Sequence, residues 1–331
     1  DNTLSITATD LEVEIVASTK LDISESGSIT IPARKFVDIC RALPDEAQLD
    51  VAFDAEKDRV IIRSGKSRFN LATLPVNDFP NIEDVSGALS FQLEQDVLKN
   101  LIDKTQFSMA QQDVRYYLNG LLLEVTEKLV KAVTTDGHRL SYCERDADVS
   151  PAEKHQVILP RKGVVELAKL LGDSDSPAEV IIGSNHIRIN LENIQFTSKL
   201  VDGQFPDYDR VIPKNGDKEV TANRELLHHA LVRTSILSNE KYRGIRIRLQ
   251  PGLLQAQAHN PEMEEAEEEI EISYQGGELE IGFNVNYLMD ALAVIPSDTV
   301  KLIFGDANSS CLVLPIDETL GCKYVVMPMR L

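Results

Sequence analysis

The chain has 331 residues, 43% of them hydrophobic and 26% charged, with a net charge of -19. That length exceeds what one core usually organises and predicts two or three domains; no run approaches the ~20 apolar residues of a membrane-spanning helix. The acidic balance argues against a protein that grips nucleic acid through overall positive charge, and four scattered cysteines without CxxC spacing fit a reducing cytosol better than a zinc site or disulfide framework.

The opening stretch "DNTLSITATD" has no starting Met and no signal-peptide pattern, and reads as the interior of a longer sequence. A helix is predicted next at "PARKFVDICRAL" (32–43), with Phe36, Ile39 and Leu43 on one face and charge on the other. "LDVAFDAEKDRVIIRS" (49–64) reads as strand, tight turn, strand. Within it begins "RVIIRSGKSR" (59–68), the densest basic stretch. Its "SGKS" imitates the end of a P-loop, but Val60 stands where the first glycine belongs, and a hairpin is the better reading. "LPVNDFP" (74–80) closes this segment as a linker.

The same phrases then return. "DVLKNLIDKT" (96–105) is an amphipathic helix matched later by "ELLHHALVRT" (225–234), and "ATDL" (8–11) corresponds to "TTDG" (134–137). "PRKGVVELAKLL" (160–171) aligns without gaps with the helix at 32–43, and "NVNYLMDALAVI" (284–295) is a third copy that keeps the apolar spacing. "AEVIIGSNHIRINL" (178–191) and "VKLIFGDANSSCLVL" (300–314) repeat the hairpin, and "LVDGQFP" (200–206) repeats the linker. The repeat predicts an α+β chain of three units, each complete unit with two helices on antiparallel sheets, bounded at 1–88, 89–214 and 215–331. No partner for the helix at 96–105 precedes it, so the first copy is expected to be short at its N-terminal side by about forty residues.

Catalytic and metal signatures are missing: no HExxH, no GxSxG, no nucleophile motif around a cysteine, and His228 and His229 are adjacent and diverge on a helix. No cofactor is expected. The acidic run "EMEEAEEEIEI" (262–272) reads as a solvated face or as an edge awaiting a basic partner, and the stretch at 59–68 supplies one, which suggests head-to-tail closure. Basic residues gather on the repeated helices, at Arg34, Lys35, Arg41, Lys99, Lys104, Arg161, Lys162, Lys169, Arg224 and Arg233, so a bore lined by helices would be less negative than the whole. Two of only five methionines, Met327 and Met329, lie in the terminal "YVVMPMRL" (324–331), where the tail closes a core, forms an edge strand or lines a docking surface.

"QQDVRYYLNG", "TTDGHRL", "LVDGQFPDYDRVIP", "ILSNEKYRGI", "NPEMEEAEEE", "IGFNVNY" and "YVVMPMRL" together closely resemble the bacterial DNA polymerase III β subunit, the replicative sliding-clamp family, from one end of the chain to the other. The resemblance implies a non-catalytic bacterial cytoplasmic, nucleoid-associated protein whose two copies close head to tail around duplex DNA, read without sequence specificity, and confer processivity. It further implies that replicative and translesion polymerases, the clamp loader and mismatch-repair proteins dock short linear motifs in a groove formed by Leu118, Thr135, Gly137, His138, Arg139, Leu140, Pro206, Arg210, Val211, Asn284, Tyr287, Val325, Val326, Met327, Pro328, Met329 and Arg330. DNA contacts are implied for Gln112, Arg115, Tyr116, Tyr117, Arg161 and Lys162. The ring interface is implied to set Arg34, Lys35, Arg59, Lys66, Arg68, Phe69 and Leu71 against Ile236, Leu237, Glu262, Glu264, Glu265, Glu267 and Glu268. A catalytic multidomain protein with a substrate groove, or a scaffold that only binds peptides, are the competing readings; the first needs a convergent acid/base or metal set, the second lacks retention on closed circular DNA.

Overall fold

The computed structural model describes residues 2–82, 89–149 and 153–330; Leu331 and the expected unit boundary at 88 lie outside them. Its α-helices are α1 (Ala33–Ala42), α2 (Gln95–Asp103), α3 (Arg161–Leu170), α4 (Arg224–Ser235) and α5 (Val285–Val294). The second and third repeats run through one order: a strand, a helix, four strands, a second helix and three strands. The fold is α+β, with every recorded strand pair antiparallel. Helix starts follow local chemistry. α1 and α3 open after Pro32 and Pro160, whose rings hold φ near the helical value. At α4 and α5, Asn223 and Asn284 accept from the first-turn amides of Leu226 and Asn286.

The sheets cross the repeat boundaries. Strands Thr3–Thr9 and Val13–Lys20 of the first repeat extend a six-stranded sheet whose other four strands belong to the second, through the pairing of Val13–Lys20 with Ile194–Lys199. An eight-stranded sheet joins four strands of the second repeat to four of the third, through Arg139–Asp146 against Cys322–Val326. The smaller sheets are three-stranded (Asp50–Asp54, Arg59–Ser64, Ser67–Ala72) and four-stranded, with Glu265–Glu271 at one edge of the latter. The "SGKS" stretch is a hairpin, Ser64 opposite Ser67 with Gly65 at φ 54°, as its sequence predicts.

A single apolar cluster runs through the second and third repeats, from Phe91 and Leu101 to Phe283, Tyr324 and Val326. The first repeat keeps a smaller core of Val60, Ile62 and Leu71, on which Phe36 and Ile39 of α1 pack half-buried. One short helix covers one face of a three-stranded sheet, so Val37, Val51 and Phe53 stay exposed.

The two related turns are built alike down to single hydrogen bonds. Asp10 Oδ1 accepts from the amides of Glu12 and Val13, and Asp136 Oδ1 from those of His138 and Arg139, both at about 3 Å. Thr9 and Thr135 each donate their hydroxyl across the turn, to the Val13 and Arg139 carbonyls. The residue after each aspartate has positive φ, 76° at Leu11 and 90° at Gly137. Leucine is strained there and glycine is not. Leu11 is exposed, so Leu11→Gly is expected to stabilise the fold by roughly 0.5–1 kcal/mol, read as a higher denaturant midpoint.

The Asp10 carboxylate pairs with Lys162 at the start of α3, across the first seam. Hydrogen bonds from Lys162 and from the Val13 amide hold it down from 3.8 to about 2. A depressed carboxylate pKa stabilises the fold above the unfolded value and loses that contribution as pH falls through the folded one. Asp10→Asn is therefore expected to flatten the loss of stability between about pH 4 and pH 2, measured by chemical denaturation at each pH.

Candidate functional site

The tail strand is an inner strand. Cys322–Val326 lies between Cys311–Pro315 and Arg139–Asp146, which excludes the edge-strand reading of "YVVMPMRL". Tyr324, Val325 and Val326 are each 1% exposed. Beyond them the Met327 amide donates to the His138 carbonyl (2.9 Å) and the Met329 amide to that of Gly282 (2.8 Å), which carries the tail from the eight-stranded to the four-stranded sheet. Met327, Pro328 and Met329 are half-buried, and Arg330 and His138 are exposed.

Strand alternation divides the sequence-predicted groove residues between two faces. On the outer face Thr135, Leu140, Val325, Leu312 and Ile303 stand opposite one another in turn, one row across five strands. The linker covers this row: Phe205 and Tyr208 are buried against it, with Val201, Val211, Ile212 and Tyr117 packed at its margin. Leu312, Ile303, Phe205 and Ile212 were not anticipated. The alternation of "CLVLP" could have offered Leu312, while Phe205 was read only as part of a linker.

Arg139 and Val326 face the other way. The Arg139 guanidinium lies 4.4 Å from the Tyr287 ring and 5.5 Å from that of Phe107. It pairs with Asp136 and, across the seam, with Asp290 of α5, and donates to the Phe107 carbonyl. Its geometry is that of an interdomain tie beneath the groove, as a planar fork with five donors suits. Asn284 caps α5, Leu118 is buried in the turn Tyr116–Leu118, Pro206 is exposed, and Arg210 is exposed and paired with Asp207 (2.7 Å). Gly137 is held by a second constraint besides its φ: a Cβ there would meet the Arg115 guanidinium at 3.1 Å.

The loop at 110–117 exposes Gln112, Val114, Arg115 and Tyr116, while Tyr117 turns inward to the groove margin. Arg115 is already bonded to both oxygens of Asp113 (3.0 and 2.8 Å) and holds that carboxyl down to about 2. Arg161 donates to the Met109 carbonyl (3.2 Å) beside the same loop, and Lys162 is paired with Asp10. The helix cations expected to line a bore are engaged elsewhere too: Lys99 with Asp173 and Asp103, Lys104 with the Val294 carbonyl, Lys169 with Glu166, Arg224 with the Ser297 carbonyl, Arg233 with Glu268. Arg34 and Lys35 on α1 are exposed.

The residues expected at a ring interface fall on two separate edges. Arg68, Phe69 and Leu71 lie on the edge strand Ser67–Ala72, with Arg59 on its neighbour and Lys66 in the turn. Glu265, Glu267 and Glu268 lie on the edge strand Glu265–Glu271, Glu262 and Glu264 in the turn before it, and Ile236 and Leu237 at the end of α4, Ile236 72% exposed. Glu264 is bonded to Asn260, Glu267 to Gln255 and Gln257, and Glu268 to Arg233. No ion pair recorded among the described residues joins the basic edge to the acidic one. No group of three or more His, Cys, Asp or Glu side chains among the described residues is arranged to hold a metal, and no described helix is long and apolar enough to cross a membrane. The third repeat encloses a cavity lined only by apolar side chains, including Leu227, Ile247, Phe283 and Leu302.

The chain matches three family models in succession: DNA polymerase III beta subunit, N-terminal domain, over residues 1–83, central domain over 92–207, and C-terminal domain over 209–330. It is 54% identical to the beta sliding clamp of Pseudomonas aeruginosa over 329 residues, 99% of this chain and 89% of that one. To the beta sliding clamp of Escherichia coli K12 it is 50% identical over 332 residues, covering 100% and 90%. The crystal structure of the Pseudomonas aeruginosa sliding clamp bound to griselimycin superposes with a TM-score of 0.96 at 53% identity, covering 100% of this chain and 89% of that one. Three repeats sharing two sheets, each matched in order by the corresponding domain of one protein, have one explanation: the chain belongs to the DNA polymerase III beta subunit family, the sliding clamps, which are not enzymes.

Proposed function

We propose that this clamp encircles duplex DNA as a head-to-tail homodimer and confers processivity by docking partner proteins through the groove on the outer face of the eight-stranded sheet. Its three units are bounded at 1–88, 89–214 and 215–331. The observation that carries the docking reading is the half-buried run Met327, Pro328 and Met329, which directly follows the inner strand that carries Val325 in the row Thr135, Leu140, Val325, Leu312 and Ile303 on which the linker packs. A floor of inner-strand residues is rigid, whereas methionine is unbranched and polarizable and fits several partners' Leu and Phe side chains. Pro328 reduces the freedom lost when a partner binds. The polymerases, clamp loader and repair proteins would share this one surface. A partner held there inherits the ring's residence on DNA as a raised effective concentration.

Complementary edges support ring closure. Basic Ser67–Ala72 and acidic Glu265–Glu271 each present an unpaired side, and charge sets register where apolar Phe69, Ile236 and Leu237 supply contact. The exposed Gln112, Arg115 and Tyr116 suit phosphate contact and base stacking. Arg115 would have to exchange Asp113 for phosphate, which favours weak contacts compatible with sliding. A replicative clamp of this kind works in the bacterial cytoplasm.

A fluorescent peptide of the Gln-Leu-x-Leu-Phe type is expected to bind saturably, with affinity reduced about tenfold or more by Met327→Ala with Met329→Ala; binding unaffected by both changes would remove the docking role of the tail. Light scattering of the full chain should give a dimer, and Glu265→Lys with Glu267→Lys should shift it toward monomer with reduced salt dependence. Once loaded, the protein should stay on nicked circular DNA and leave when the circle is cut. Equal loss from both forms would contradict encirclement and favour a peptide-binding scaffold.

A further inference from the structure

Of the four cysteines Cys40 is exposed and Cys143, Cys311 and Cys322 are buried, all as free thiols. Cys143 and Cys322 stand opposite each other across the seam between the second and third repeats. The Glu144 amide donates to Gly321 and the Met327 amide to His138, which fixes the alternation of the ladder. The pair 143/322 then falls at a non-hydrogen-bonded position, where Cα atoms approach to ~4.5 Å, inside the ~4.4–6.8 Å that a disulfide spans. Both sulfurs reach the Leu320 carbonyl, Cys322 Sγ at 3.1 Å and Cys143 Sγ at 3.9 Å. Arg145 Nη1 lies 3.2 Å from Cys143 Sγ and also donates to the Leu320 carbonyl. The exposed turn Glu318–Leu320 is thereby held over the thiols.

We propose that Cys143 and Cys322 are an oxidation site, a thiol pair that closes into a disulfide and covalently locks the second repeat to the third. The hydrogen bond from Cys143, with the Arg145 guanidinium nearby, brings the Cys322 thiol down to about 7. The same bond and burial push Cys143 up. Attack by the Cys322 thiolate is one order of events, and the reverse order gives the same disulfide. With hydrogen peroxide as oxidant, the Cys322 sulfur attacks one oxygen, the O–O bond breaks, and hydroxide leaves and takes up a proton. The resulting sulfenic acid is attacked by Cys143; the S–S bond forms, the S–O bond breaks, and water leaves with the Cys143 proton. Two thiols and one peroxide give one disulfide and two waters, two electrons passing from sulfur to oxygen. Thiol–disulfide exchange with a reductant returns both thiols, so the lock is reversible.

The test uses the full chain with Cys40→Ser, so that the exposed thiol cannot cross-link copies, treated with hydrogen peroxide under native conditions. Expected are a mass loss of about 2 Da, a cross-linked peptide containing Cys143 and Cys322, and a rise in Tm of about 5 °C or more that a thiol reductant reverses. Cys322→Ala should show none of these. The mass and peptide map stand without that variant if it fails to fold. Three intact thiols in the treated Cys40→Ser chain, a product confined to sulfinic acid, or a disulfide through Cys311 would overturn the pairing. The right disulfide with an unchanged Tm would overturn the lock. None of these results depends on peptide docking.

Discussion

Five residue pairs, Cys322 to Val326 laid antiparallel on Cys143 to Arg139, hold the third repeat to the second. This pairing is the last to be specified along the chain and brings together strands far apart in sequence. Without it the eight-stranded sheet divides into two four-stranded halves, the row across its outer face ends at Leu140, and the Arg139–Asp290 pair has nothing to bridge. Long-range pairing of this kind costs loop-closure entropy that no local contact offsets. Buried Tyr324, Val325 and Val326, packed on both faces, meet that cost. The apolar character of the chain's end is first a matter of stability, and the docking role proposed above draws on the outer face of the same strand.

The alternation of that strand separates two jobs. Val325 turns outward to the linker; Tyr324 and Val326 turn inward to the shared core. The seam is reinforced on the inner side by Arg139 and, at its far end, by Arg145, which reaches Leu320 and Asn100 (2.6 Å). On the function proposed above, a rigid inner strand followed by adaptable methionines suits a surface with several partners. The linker is fixed to the floor by Tyr208, whose ring lies 5.8 Å from that of Tyr142 and whose hydroxyl is pushed up by burial and by neighbouring Glu124.

Helices, hairpins and the repeat were legible in the sequence because each is a local pattern. The helix spacing at Phe36, Ile39 and Leu43, and the turn residues between paired strands, need no partner to be recognised. The matching turns at Asp10 and Asp136 were visible as "ATDL" and "TTDG", although the identical hydrogen bonds were not. Which sheets the strands would join was not legible, since strand pairing between repeats depends on edges that carry no sequence mark. For that reason the tail could be read as an edge strand until its position between two others was seen.

The candidate site was named through family resemblance more than through chemistry. Thr135, Leu140 and Val325 share one face as a docking groove requires, but Arg139 points to the opposite one and Leu312 and Phe205 had no polar or motif signal to single them out. Charge was the least legible property. Lysines and arginines on helices suggested a bore less negative than the whole, and Lys162, Lys99 and Arg233 each find a carboxylate within the chain, as side chains of such reach do when the whole is acidic.

Amide hydrogen exchange at Val325, Val326 and Met327 in the native full chain tests the central claim, that the tail is an inner strand shared by two repeats. The account predicts Val325 and Met327, whose ladder bonds go to the second repeat, to be protected as strongly as Leu140 on the partner strand. Exchange of these amides at the rate of a frayed terminus, with Leu140 still protected, would contradict it.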